Sequence, residues 1–181
     1  MFTVPPQKIM YAYSEYQPLF DVMRQTIPNI IFHQGLPDRE ELEALSEGMD
    51  HVVLVLDDLM LKITGSEECV QLFALNSHHK RQSIVFLTHN LYPPGKYVRS
   101  ISLNCAYAVL FRNDRDQRQA LSFASQILPG QTKYFKHSFD LATMQRYGCL
   151  LVDLSPHTDK TYQLCTSIFP GEDTVVYTPR V

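Results

Sequence analysis

Two adjacent carboxylates, Asp57 and Asp58, close a run of five aliphatic residues, Val52-Val-Leu-Val-Leu56. Paired acids can hold a divalent cation and polarise a water, so their chemistry is phosphoryl transfer or hydrolysis. A polar trio, Thr88, His89 and Asn90, closes a second apolar run, and the arginines Arg112 and Arg115 follow a third. Acids for a cation, polar groups for a water and arginines for phosphate are the parts of a nucleotide-hydrolysing site. The plainer alternative is that 52–58 is an ordinary buried strand ending in a solvated turn.

The elements that must place these groups follow from the hydrophobic pattern. An apolar run without polar alternation reads as a strand buried on both faces, and ligands on sheets of such strands bind beyond the carboxyl ends. Side chains alternate along a strand, so Asp57 and Asp58 are expected to face opposite ways, one toward a metal-bound phosphate and one toward a water. That is the logic of a Walker B element. Upstream, the spacing predicts a strand over 8–13, a helix over 17–25 and a strand over 29–33. A helix then opens at Asp38, with Asp38 as cap, Glu41 three residues on, and Leu42 and Leu45 as its apolar face. Downstream, Ser66 caps a helix running to about His79, and strands are expected over 82–88 and 105–111. Asp114 is expected to cap a further helix and another spans 133–146. A hairpin over 148–154 and 162–169 precedes an extended tail over 170–181. Strands alternating with helices imply an α/β fold, a mostly parallel sheet with helices on both faces, organised as a single domain over 1–181.

Composition narrows the classes. The chain has 181 residues, 45% of them hydrophobic, with 16 basic and 19 acidic side chains and a net charge of −3. That balance gives no electrostatic case for indiscriminate nucleic-acid binding. No apolar stretch approaches the roughly 20 residues that span a bilayer, and the amino terminus lacks a signal core, so a soluble, intracellular protein is expected. Cys69, Cys105, Cys149 and Cys165 form no C-x-x-C pair and read as buried free thiols. The adjacent His78 and His79 cannot share a helix face as a zinc pair.

A phosphate-binding loop of the form G-x-x-x-x-G-K-[ST] is absent, and the seven glycines stand singly. Nothing in the chain obviously cradles a triphosphate.

The succession Tyr13-Ser-Glu-Tyr-Gln-Pro-Leu-Phe20, Phe32-His-Gln-Gly-Leu-Pro37, Leu54-Val-Leu-Asp-Asp-Leu-Met60, Ser77-His-His79, Phe86-Leu-Thr-His-Asn-Leu91, Arg99-Ser-Ile-Ser-Leu-Asn104 and Leu110-Phe-Arg-Asn-Asp-Arg115 resembles the DNA-packaging ATPases of Polinton/Maverick elements and adintoviruses. These are similar to the poxvirus packaging ATPase within the FtsK/HerA group of P-loop motors. The resemblance covers nearly the whole chain and implies a P-loop NTPase-like sheet whose first strand and Walker A loop are missing.

The resemblance implies that Asp57 positions Mg²⁺ and Asp58 polarises the attacking water. Asn90 falls in the sensor segment, beside His89 where glutamine is expected. Arg81, Arg99 and Arg112 are candidates for contacts to phosphate or a neighbouring subunit. ATP and Mg²⁺ are the implied cofactors, a ring of identical subunits and double-stranded DNA the implied partners, and no membrane partner is implied. In the family the phosphate-loop strand lies between the sensor strand and the next. Its absence is expected to leave 82–88 and 105–111 with unpaired edges, which either pair directly or leave a groove that upstream sequence or another chain fills. Three readings follow: a truncated packaging ATPase, an inactive remnant serving as an interaction or ring-subunit module, or an unrelated α/β metal-dependent phosphohydrolase.

Overall fold

The computed structural model describes residues 5–73 and 82–179, and the chain falls into two compact units, 1–104 and 105–181. In the first unit, β1 (Lys8–Tyr13), β2 (Ile30–Gln34), β3 (Val52–Asp57) and β4 (Gln82–Leu87) form a parallel sheet in the order β2-β1-β3-β4. The order places the aliphatic run in the sheet interior, as its unbroken apolar character requires.

The register sets two faces. Met10, Leu54 and Ile84 are level with one another, as are Ala12, Leu56 and Phe86. These side chains pack with Leu42 and Leu45 of α2 (Arg39–Ser46), Ile63 of α3 (Met60–Gly65), Cys69 of α4 (Glu67–Gln71) and Ile101 of α5 (Val98–Leu103). Leu54 and Leu56 are fully buried, and burial of each such side chain contributes about 1.5–3 kcal/mol. The opposite face carries Tyr11, Tyr13 and Phe32, which gather around the buried Phe20 of α1 (Leu19–Thr26). Helices therefore flank both faces.

The expected capping box is present at α2: Asp38 Oδ1 accepts from the Glu41 N–H at 2.9 Å, and Glu41 Oε2 accepts from the Asp38 N–H at 2.8 Å. Ser66 caps α4 through the Cys69 N–H; the remainder of the helix expected to reach His79, from 74 on, lies outside the described residues.

The second unit departs from the parallel pattern. β5 (Tyr107–Phe111) pairs antiparallel with β6 (Cys149–Asp153), followed by β7 (Leu164–Thr166) and β8 (Val175–Tyr177), in the order β5-β6-β7-β8. The β6–β7 hairpin was expected, with Leu151 level with Cys165. One expectation was not met. The strand at 105–111 belongs to this antiparallel sheet and not to the parallel one, so β4 and β5 do not pair, and each ends its own sheet among the described residues. The tail also supplies β8, held by a hydrogen bond from Tyr134 Oη to the Tyr177 carbonyl at 2.7 Å.

Two further helices, α6 (Gln117–Ile127) and α7 (Thr132–Ala142), accompany this sheet, and Phe135 and Ala124 are fully buried. Asp114 does not cap α6. It accepts from Arg112 Nε at 2.7 Å instead, and Asp116 takes the N-cap position, its Oδ2 accepting from the Gln119 side-chain amide at 2.6 Å and not from a backbone N–H of the helix.

Candidate functional site

Parallel pairing brings Tyr13, Asp57 and Leu87 level across three strands. Asp57–Asp58 and Thr88–Asn90 therefore leave the same edge of the sheet from adjacent strands, where ligands of α/β sheets bind.

Asp57 is the last residue of β3 and half-buried. Its Oδ2 accepts a hydrogen bond from Tyr11 Oη at 2.9 Å. The Tyr11 ring lies 5.3 Å from that of Phe20 and 5.7 Å from that of Phe32. Burial, then the bond to Asp57, pushes the Tyr11 phenol well above its ordinary range, so it donates as a neutral hydroxyl at any physiological pH.

Asp58 is exposed, with φ of 53°. The expectation that strand alternation aims the two acids apart thus holds only as far as Asp57, because the backbone leaves the strand in a left-handed turn at Asp58. Asp tolerates that region better than most residues, yet it costs energy, and such positions cluster at functional sites. Leu59, 2% exposed, anchors the chain directly after it.

The segment after β4 is a closed hydrogen-bonded turn. Thr88 Oγ1 accepts from the Asn90 N–H at 3.2 Å and lies 3.0 Å from the Asn90 carbonyl and 3.4 Å from Met60 Sδ. Asn90 Oδ1 accepts from the Tyr92 N–H at 2.9 Å, which fixes the amide and leaves Nδ2 as the end able to address a ligand. His89 is exposed.

Arg99 is exposed on α5, and Arg81 lies outside the described residues, as do His78 and His79. Arg112 and Arg115 follow β5 in the antiparallel sheet, so the expected common edge with Asp57 does not exist. Arg112 is paired with Asp114, which its guanidinium holds below the usual carboxylate range.

No group of three or more His, Cys, Asp or Glu able to hold a metal occurs among the described residues. Two carboxylates are nonetheless a suitable donor set for Mg²⁺, which keeps several waters and is commonly bound by one or two carboxylates together with substrate phosphates. Cys69, Cys149 and Cys165 are buried thiols, as their apolar settings suggested, and Cys105 is half-buried. No helix among the described residues is long and apolar enough to cross a membrane.

The residue that sequence reasoning missed is Tyr11. Only the alignment of two strands 46 positions apart reveals its bond to Asp57.

No protein-family model matches the chain, and neither a curated protein nor a solved structure matches it.

Proposed function

We propose that the chain carries the metal-and-water half of a nucleotide-hydrolysing site of the genome-packaging ATPase type, with Asp57 holding Mg²⁺ and Asp58 orienting the attacking water. One observation supports this above the others: the paired acids end an interior strand of a parallel sheet, and the Thr88–Asn90 turn ends the strand beside it. Mg²⁺ bound at Asp57 would neutralise charge developing on transferred phosphate oxygens. Asp58, exposed beyond the strand end, would accept a proton from water. Asn90, its Oδ1 already engaged, would donate through Nδ2.

The edge of β4 that has no partner among the described residues is, under this reading, the position where the resembled family carries its phosphate-loop strand. In that family the assembled ring translocates double-stranded DNA, and those partners belong to this proposal. The absence of a G-x-x-x-x-G-K-[ST] loop from the sequence favours, as a second reading, a ring-subunit or interaction module that binds nucleotide weakly and does not turn it over.

The test is titration of the purified chain with a fluorescent ATP analogue in Mg²⁺ and in EDTA. Weak binding is expected that requires Mg²⁺, is lost in Asp57→Asn and is accompanied by negligible turnover. Binding indifferent to both EDTA and Asp57→Asn would overturn the proposal.

A further inference from the structure

We propose that Tyr11 is the positioning residue for Asp57: it occupies Oδ2 and so presents Oδ1 as the oxygen that takes a divalent cation. The inference rests on the metal-site reading above and deepens it. An aspartate at a strand end has a broad choice of carboxyl rotation, and a phenol donating to one oxygen selects a single orientation. Tyr11 is suited to this because it is itself held in place. It is central in β1, level with Phe32 on one side and Val55 on the other, and its ring packs on the buried Phe20. Tyr11 and Asp57 project from the same sheet face two register positions apart, and the phenol reaches along that face to Oδ2 at 2.9 Å. Among the described residues no hydrogen bond reaches Oδ1. A partner of this kind orients a metal ligand without touching the metal, and loss of such partners typically lowers metal affinity about 10–100-fold.

A purely structural role would need only some acceptor for a half-buried hydroxyl, and it would leave cation binding unchanged when the hydroxyl is removed. The test therefore uses Mn²⁺ alone as probe, with the bound fraction read by electron paramagnetic resonance on the full chain. Tyr11→Phe keeps the ring and its packing, and about a tenfold loss of Mn²⁺ affinity is expected, with Asp57→Asn abolishing binding. Affinity within twofold of wild type in Tyr11→Phe, alongside loss in Asp57→Asn, overturns the positioning role and leaves the metal site standing. Unchanged binding in Asp57→Asn, or none by the wild-type chain, overturns the metal site and with it this role.

A second measurement needs neither metal nor a Tyr11 variant that folds. With ¹³Cζ-labelled tyrosine, Asp57→Asn is expected to move one phenol resonance, that of Tyr11, because its acceptor changes from a charged carboxylate to a neutral amide. Ten unmoved tyrosine signals would show that the bond does not exist in solution.

Discussion

Gly95 packs directly on Thr64: a Cβ built on the glycine would lie 2.4 Å from the Thr64 Cβ and 2.8 Å from the Thr64 carbonyl oxygen. The buried Thr64 hydroxyl is 3.0 Å from the Pro94 carbonyl and 2.9 Å from that of Met60, and the Tyr97 N–H donates to the Thr64 carbonyl at 3.2 Å. The loop after Asn90 is thereby tied to α3, the helix that follows the acids. Gly95→Ala is expected to cost about 1–3 kcal/mol in urea denaturation, the range for overpacking a filled site. Thr64→Ser will not rescue it, because the Cβ and the carbonyl remain. Wild-type stability in Gly95→Ala would mean the loop is not packed on α3.

Asp58 separates backbone from charge. Its φ of 53° is a conformation that costs an ordinary L-residue about 1–2 kcal/mol and glycine almost nothing. Asp58→Gly is expected to be neutral or slightly stabilising in thermal denaturation, and Asp58→Ala destabilising by about 1 kcal/mol. Equal stabilities of the two variants would contradict the left-handed turn.

Amide hydrogen exchange reads the sheet order. β3 has a partner on each side and β4 on one among the described residues, so slow exchange throughout β3 is expected, with alternating slow and fast amides along 83–87. Uniform protection of β4 would reveal another strand lying on its outer edge.

Burial pushes the thiols of Cys69, Cys105, Cys149 and Cys165 above their ordinary range. The native chain keeps protons that the unfolded chain releases above about pH 8.5, so these groups contribute stability below that pH, and it is lost as pH rises through the native values. Falling stability above about pH 8.5 is expected, and slow iodoacetamide labelling at neutral pH until denaturant is added. Rapid labelling of native Cys69, Cys149 and Cys165, read by mass spectrometry, would contradict their burial.

The parts legible in the sequence were those governed by local chemistry. Asp38 and Glu41 announced a capping box, and Val52 to Leu56 announced an interior strand, because caps and unbroken apolar runs are set within a few residues. Tyr107 to Phe111 shows the limit. Its apolar run resembles that of β3, but Tyr107 and Phe111 are 56% and 58% exposed and the strand runs antiparallel. Apolarity fixes neither the sheet nor the direction a strand joins. The position of the acids was legible for the same reason β3 was. The turn at Asp58 and the hydroxyl on Asp57 were not, since one depends on a backbone angle and the other on a register between distant strands.

The measurement that bears most directly on the account is paramagnetic broadening of the ¹⁵N-labelled chain by Mn²⁺. Selective loss of the amide signals of Asp57, Asp58 and Leu59 and of Thr88 to Asn90 is predicted, with recovery in Asp57→Asn. Broadening centred elsewhere, or unchanged by Asp57→Asn, would contradict the assignment of a cation to the carboxyl end of β3.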